Sequence, residues 1–254
     1  MHEFWTEVLH QPAPGTDFNP PRIECNGQIL PTTEAFIYLG STLSRQATID
    51  KEISRRLAKA SVSFGSLREK VWEKSGISTT TKLAVYKAVV LPSLLYGCET
   101  WTVYARHAKK LNSFHMRCLR RILHVKQEDR IPDTEVLEMS HCESVFSLLK
   151  KSQLRWAGHV HRMADTRIPK QLLYGELACG SRKRGRPKLR YKDTLKASMK
   201  DCLIDPDTWE QTASNRPAWR QQVWKGASHY EQSRIAKKKD QRRRRKQREA
   251  NCLT

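Results

Sequence analysis

The sequence has few carboxylates, and none are arranged as a catalytic metal site. It contains 26 acidic residues against 47 Lys and Arg, and no two Asp residues are adjacent. Polymerases and nucleases need carboxylates close enough together to hold one or two Mg²⁺ ions. The G-x-x-x-x-G-K-[ST] phosphate loop and the G-x-S-x-G nucleophile elbow are also missing. We therefore predict that the chain is not an enzyme by itself and that it uses no cofactor.

Long apolar runs are missing as well. No stretch approaches the roughly 20 apolar residues of a membrane span, so we expect no membrane partner. The first residues, MHEFWTEVLHQPAPG, have neither the basic nor the apolar region of a signal peptide. The seven cysteines never form a C-x-x-C pair, which predicts free thiols in a reducing compartment. Nucleus or cytosol is the expected location.

The histidines and cysteines lack the spacing of a zinc site. Structural zinc sites usually present paired ligands two to four residues apart on both sides of a loop. Here His141 and Cys142 are adjacent, and one residue separates His159 from His161. We predict no metal site, and we interpret His159 and His161 as packing or phosphate-contacting residues of one helix.

Positive charge is what the chain has in excess, and it is concentrated in three segments. The formal net charge is +21. Segments 105–126 and 182–192 each hold seven Lys or Arg and no acidic residue, and 237–248 holds nine against a single Asp. Charge concentrated in this way is typical of proteins that bind a polyanion, and we predict RNA or DNA as the partner. A solvated basic surface is the alternative interpretation.

The apolar spacing predicts a mainly α fold that follows a small β-structured N-terminus. The turn Asn26-Gly27 predicts a hairpin, and Ala35–Leu39 predicts a third strand. Seven apolar residues from Ile49 to Val71, spaced by three or four, predict one long amphipathic helix. Further helices are expected at 79–91 (ending at Pro92), 105–123, 144–163, 191–202 and 209–224. The segment after 236 has too little to bury, so a disordered basic tail is predicted.

The predicted helix at 105–123 separates apolar from basic side chains. Its apolar side consists of Leu111, Phe114, Cys118 and Ile122. Its other side holds, within about 120°, the six cations Arg106, Lys109, Lys110, Arg117, Arg120 and Arg121. Exposed helix faces normally mix charge signs, because like charges one turn apart repel each other. Phosphates would neutralise this repulsion, so these cations are predicted to bind nucleic acid.

A second group of candidate contacts lies in the C-terminal half. A basic connector contains R-G-R-P at 184–187, the core of an AT-hook, whose arginines enter the minor groove of A·T-rich DNA. The simpler interpretation is a loop that contacts backbone phosphates. The candidate contacts of this half are Arg155, His159, His161, Arg182, Lys183, Arg184, Arg186, Lys188 and Arg190. The basic segment 237–248 is interpreted as a nuclear localisation signal, a non-specific nucleic-acid arm, or both.

Several longer motifs occur in a fixed order along the chain. They are FIYLGSTLS (36–44), IDKEISRRLAKAS (49–61), KLAVYKAVVLPSLLYGCETW (82–101), LNSFHMRCLRRIL (111–123), IPDTEVLE (131–138), QLRWAGHVHRM (153–163) and GRPKLRYKDTLKASMKD (185–201). Together they resemble the C-terminal third of LINE-like, non-LTR retrotransposon endonuclease–reverse transcriptases. The resemblance covers residues 5–224 and leaves out the basic tail.

The resemblance implies a division of the chain and a role for its N-terminal part. The implied units are a palm remnant with linker and hairpin (1–44), a thumb-like helical domain (45–130), a C-terminal nucleic-acid-binding extension (131–230) and the tail (231–254). In that family the F-x-Y-L-G segment helps to position the primer, which implies this role for Phe36, Tyr38, Leu39 and Gly40. The family's Asp-Asp motif and endonuclease domain would precede Met1, so we expect the reading frame to start inside the palm.

Three functional hypotheses stay open on the sequence alone. The first is a reverse-transcriptase fragment that grips template–primer without catalysing polymerisation. The second is a host-adopted nuclear protein that binds AT-rich DNA, and the third is a decayed fragment without function. An intact reverse transcriptase acting in trans is a further candidate partner. The basic tail favours a nuclear location, with the cytoplasm as the alternative.

Overall fold

A computed structural model describes residues 6–12, 16–176, 185 and 188–251 of the chain. Two small antiparallel sheets near the N-terminus are followed by helices, which confirms the predicted, mainly helical fold class. Within the described ranges, none of the helices combines the length and the apolar character that a membrane crossing requires.

The β-structured part consists of two separate hairpins. Strands β1 (Glu24–Cys25) and β2 (Gln28–Ile29) pair across the turn Asn26-Gly27, whose residues both have positive φ, as predicted. The predicted third strand, β3 (Ala35–Tyr38), pairs instead with β4 (Ser41–Ser44). The two-residue turn between β3 and β4 also has positive φ at both positions, which matches the right-handed twist of the strands.

The first group of helices follows β4 directly. Helix α1 (Asp50–Ser66) continues into a π-helical turn (Arg68–Trp72), and α2 (Thr79–Val85) passes through a second π-helical turn (Tyr86–Val90) into α3 (Leu91–Leu95). After a crossing segment come α4 (Ala105–Ile122) and α5 (Asp133–Ser140). The seven apolar residues predicted to share one helix face all pack into the same core cluster, which confirms that face.

The prediction that the second helix ends at Pro92 was wrong. The chain stays helical to Leu95, with Pro92 in the first turn of α3. Proline is tolerated at the start of a helix, because its missing N–H would have no carbonyl partner in that turn. The π-helical turn before Pro92 lets a new first turn begin without interrupting the helical path.

The second group of helices begins with α6, which is long enough to contact both halves of the protein. Its members are α6 (Val145–His161), α7 (Ile168–Tyr174), α8 (Tyr191–Asp201), α9 (Trp209–Ser214) and α10 (Arg216–Asn251). Residues Val145 and Leu149 of α6 belong to the first core cluster, whereas Leu154 and Ala157 belong to the second. The implied boundary near residue 130 therefore has residues of the first core on both sides of it.

The prediction that the basic tail is disordered was also wrong for the tail residues that the structure describes. Helix α10 runs without interruption to Asn251, through the whole basic segment 237–248. Starting a helix is the costly step, and the N-terminal half of α10 has already been ordered by packing. After Gly226 the helix holds no Gly or Pro and is rich in Lys, Arg, Gln and Ala, all good helix formers. Cations near a helix C-terminus also interact favourably with the helix dipole.

A buried polar pair in the first core makes stability depend on pH. The Tyr86 hydroxyl and His115 Nδ1 are 2.7 Å apart, and neither residue is exposed. Burial lowers the pKa of His115 from 6.5 to about 4. Between these values the unfolded chain binds a proton that the folded chain does not, so acidification favours unfolding by up to about 3 kcal/mol.

We expect urea denaturation of the native chain to show this loss as the pH falls from 7 through 6.5 towards 4. The His115→Gln variant keeps a hydrogen-bonding side chain beside Tyr86 but cannot titrate. Its unfolding free energy should depend less steeply on pH in this window. Equal slopes for the two proteins would show that His115 is not the titrating group.

Candidate nucleic-acid interface

Helix α4 presents several exposed cations on one side. Its apolar side, which includes Leu111, Phe114, Cys118 and Ile122, is buried in the first core cluster, as predicted. On the opposite side Lys109, Lys110 and Arg117 are exposed. None of these three makes an ion pair with a residue that the structure describes. We call them the free cations of α4.

The other three predicted cations of α4 are engaged by carboxylates from elsewhere in the chain. Arg106 pairs with Asp50, in the first turn of α1, at 2.8 Å. Asp50 also accepts a hydrogen bond from the buried His107 at 3.0 Å. This hydrogen bond, together with the positive charge of Arg106, holds the pKa of the Asp50 carboxyl below its usual value. Arg106 therefore helps to join α1 to α4.

The C-terminal end of α4 is held in the same way. Arg120 donates to the Asp133 carboxylate and to the Ile131 carbonyl, both at 2.8 Å. Arg121 pairs with Glu73 at 3.0 Å, and hydrogen bonds from Arg68 and Arg121 lower the pKa of that carboxyl. The basic face of α4 contains no acidic residue of its own, but carboxylates from other elements neutralise three of its six cations. The free cations of α4 are the three that these carboxylates do not pair with.

The predicted contacts on α6 divide into exposed and engaged side chains. Arg155 and His159 are exposed, and the His159 ring lies 5.4 Å from the half-buried Trp156 ring. His161 lies 2.9 Å from the Tyr174 hydroxyl through Nδ1 and 3.2 Å from the Ser214 hydroxyl through Nε2. Both ring nitrogens of His161 are therefore used within the protein, which favours the packing role over phosphate contact.

The R-G-R-P interpretation falls largely outside the described residues, which exclude Arg182, Lys183, Arg184 and Arg186. The two predicted cations that follow are described. Lys188 donates to the Gln46 carbonyl at 3.0 Å. Arg190 lies beside Glu176 and Asp193, at 3.7 and 3.4 Å. The end of the connector thus returns to the N-terminal part of the protein.

The F-x-Y-L-G residues form an exposed hairpin end. Tyr38 and Leu39 are 59% and 77% exposed, and the Phe36 and Tyr38 rings lie 6.3 Å apart. Arg56 of α1 donates to the Gly40 carbonyl, which holds the turn against the helix. Apolar side chains that stay exposed at a fixed turn are available for contact with another molecule.

An open groove of about 690 Å³ connects the β3–β4 hairpin, the start of α4 and the end of the basic connector. It lies between β4, the first turn of α1, the start of α4 and the end of the connector. Arg106 and Lys188 line it, but so do the carboxylates of Asp50 and Glu52. Because its charge is mixed, the groove suits an anion less well than the free cations of α4 do. In the described part of the chain, no three His, Cys, Asp or Glu side chains are grouped so that they could hold a metal ion.

Sequence reasoning missed how the basic tail is positioned. Lys239 of α10 pairs with Glu138 of α5 at 3.0 Å, and Arg242 donates to the Arg130 carbonyl at 3.4 Å. The partners in each contact are more than 100 residues apart in the sequence. No short-range pattern could have indicated them.

These features describe a helical protein that combines a basic helix face with a basic C-terminal helix. Comparison with known proteins shows similarity to proteins of mobile elements. A transposon-derived protein of Caenorhabditis elegans is 25% identical over 197 residues, which cover 75% of this chain and 70% of that protein. The RNA-directed DNA polymerase from mobile element jockey is 26% identical in Drosophila melanogaster, over 40% of this chain, and 22% identical in Drosophila funebris, over 73%.

The chain is therefore related to transposon-derived proteins and to RNA-directed DNA polymerases of mobile elements. It spans only 11% and 19% of the two jockey polymerases. No protein-family model matches the chain, and no solved structure matches it.

Proposed function

We propose that this chain is the C-terminal, nucleic-acid-binding part of a non-LTR retrotransposon reverse transcriptase, and that it grips a template–primer duplex without catalysing polymerisation. The free cations of α4 carry this proposal. Lys109, Lys110 and Arg117 are exposed and unpaired among the described residues, although nearby carboxylates neutralise the other cations of the same face.

The helix that carries these cations is held firmly. Three of its other cations hold it to α1, to Glu73 and to α5, and its apolar side is buried. Because the backbone that carries these cations is already ordered, binding to phosphates costs only side-chain freedom and no folding of the helix. The relatives support the choice of partner, because an RNA-directed DNA polymerase acts on nucleic acid.

The test is binding of the full chain to a labelled RNA–DNA primer–template, measured by fluorescence anisotropy at several salt concentrations. The variant replaces Lys109, Lys110 and Arg117 with Gln, which removes the charges and keeps good helix formers. We expect affinity to fall on the order of tenfold or more, and the salt slope to fall by about 2 to 3, because about three phosphate contacts are lost.

A matched control removes three other exposed cations, and thus the same net charge. Lys196 and Lys200 of α8 and Lys225 of α10 make no ion pair with a described residue, and all three are exposed. Their replacement with Gln should change affinity much less. If both triple variants lose the same affinity, binding follows net charge alone and α4 is not the site. A stronger preference for AT-rich duplex than for primer–template would support the host-adopted DNA-binding alternative.

Two parts of the proposal concern chemistry and location. The chain has no adjacent Asp pair, and we propose that it neither polymerises nor cleaves nucleic acid alone. Nucleotide incorporation on a primed RNA template by the purified chain with Mg²⁺ would contradict this. The basic helix supports a nuclear location, which imaging of a tagged full chain tests directly.

A further inference from the structure

Helix α10 is fixed to the body of the protein far into its basic part. Trp219 and Val223 pack into the second core cluster. Further along the helix, Glu231 accepts a hydrogen bond from Ser144 at 2.6 Å. Lys239 then pairs with Glu138, and Arg242 reaches the Arg130 carbonyl. The helix thus lies successively along α6, α5 and the segment that precedes α5.

This path brings the tail to the end of α4. Arg242 binds the carbonyl of Arg130, and Arg120 of α4 binds the carbonyl of the next residue, Ile131. Consecutive Cα atoms are ~3.8 Å apart, so the two guanidinium groups bind adjacent positions of the same segment. Two basic segments that are more than 100 residues apart in the sequence therefore meet at one place.

Beyond Arg242 the helix projects from the body. Arg243 and Arg244 pair only with Asp240 of the same helix, and Arg245, Lys246 and Arg248 make no ion pair with a described residue. At 1.5 Å per residue, the eight residues 243–250 extend about 12 Å past the Arg242 contact. Segment 237–248 contains no aromatic residue, so it lacks the side chains that proteins mainly use to stack unpaired bases.

We propose that this fixed basic helix and the free cations of α4 form a single site for a nucleic-acid duplex, in which the tail is a rigid extension and not a mobile arm. The proposal rests on the function proposed above and adds the geometry of the partner. A B-form duplex carries one phosphate charge per ~1.7 Å of its axis, counted over both strands, so about 12 Å of axis carries about seven phosphates, and the helix faces those on its own side. A surface with charge and no aromatic side chains suits the duplex backbone better than single-stranded bases.

A single substitution separates a rigid extension from a mobile arm, because it keeps every charge. Ala236 is exposed, precedes the basic segment and lies outside both core clusters. Ala236→Pro removes a helical hydrogen bond and clashes with the preceding turn, which kinks or breaks the helix there. Ala236→Gln is the matched control, because Gln is a good helix former. Circular dichroism and urea denaturation should show that the body stays folded in both variants.

Binding is measured on duplexes of about one and about two helical turns (~10 and ~20 base pairs). We expect the native chain and Ala236→Gln to bind the longer duplex more tightly, and Ala236→Pro to lose that gain, on the order of tenfold. Equal affinity of the Pro and Gln variants for the longer duplex would overturn the proposal, because a mobile arm needs no helix. The α4 triple variant on the shorter duplex reports separately on the function, which stands or fails independently of the tail.

Discussion

Replacing Gly158 with Ala should destabilise the protein by about 1 to 3 kcal/mol, although the same change stabilises most helices. Gly158 lies in α6 where the Trp219 indole of α10 crosses it. A Cβ at position 158 would lie 2.1 Å from Trp219 Nε1 and 2.3 Å from Cδ1. The indole is 2% exposed and donates to the Leu154 carbonyl at 3.0 Å, so it cannot move aside without losing that bond. Urea denaturation followed by tryptophan fluorescence measures the change.

Gly65 provides the matched control in another helix. A Cβ there meets nothing within 4 Å, so Gly65→Ala should stabilise the protein by about 0.5 to 1 kcal/mol. Trp219→Ala should cost about 3 to 5 kcal/mol, because it empties a large buried site. In a Trp219→Leu background, Gly158→Ala should cost less than it does alone. If Gly158→Ala stabilises as Gly65→Ala does, α6 and α10 do not approach as closely as described.

Replacing Arg56 with Met should destabilise the first half of the protein by about 3 to 5 kcal/mol, because it leaves the Glu52 carboxylate buried without a counterion. The two side chains are 4% and 2% exposed, and Arg56 Nε lies 2.6 Å from Glu52 Oε1. The other carboxylate oxygen accepts the Thr42 amide at 2.7 Å, and Arg56 also reaches the Gly40 carbonyl. The buried pair thus fastens the β3–β4 hairpin to α1.

Arg55, which precedes Arg56 in the sequence, provides the matched control for the loss of one arginine. Arg55 is only half-buried and lies 3.4 Å from the Thr42 hydroxyl, so Arg55→Met should cost little. Adding Glu52→Gln to Arg56→Met should recover part of the lost stability, since no uncompensated charge then stays buried. Limited proteolysis should cut Arg56→Met first near the exposed Tyr38 and Leu39. A loss no larger than that of Arg55→Met would mean that the pair does not hold the hairpin.

The hairpin result also bears on function. The resemblance to reverse transcriptases implies that Phe36, Tyr38, Leu39 and Gly40 help to position a primer, and that role stays a prediction. The structure adds that a buried ion pair sets the orientation of this turn. If the turn contacts template–primer, Arg56→Met should weaken binding even under conditions in which the protein remains folded.

The helical core was predictable because its signal is local. The apolar residues from Ile49 to Val71 repeat every three or four positions, and those residues do line one buried face. The buried side of α4 was predictable for the same reason. The prediction failed at Pro92, because apolar spacing does not show the π-helical turn that precedes the proline and accommodates it.

The candidate site was predictable only in part. The six cations of α4 could be read from helical spacing, but their counterions lie on other elements. Asp50, Glu73 and Asp133 reduce the exposed, unpaired set on that face to Lys109, Lys110 and Arg117. Charge balance at a surface depends on distances through space, and those distances are not contained in the spacing along one helix.

The helical class, the apolar faces of α1 and α4, the Asn26-Gly27 hairpin and the concentration of positive charge could be predicted from the sequence, because each depends on residues within a few turns of one another. Contacts between distant segments set which cations are neutralised and where the tail lies. The tail is helical because it continues the packed start of α10. The position of the tail is set by its contacts with Glu138 and the Arg130 carbonyl. Such contacts join segments more than 100 residues apart, and no local pattern in the sequence specifies them.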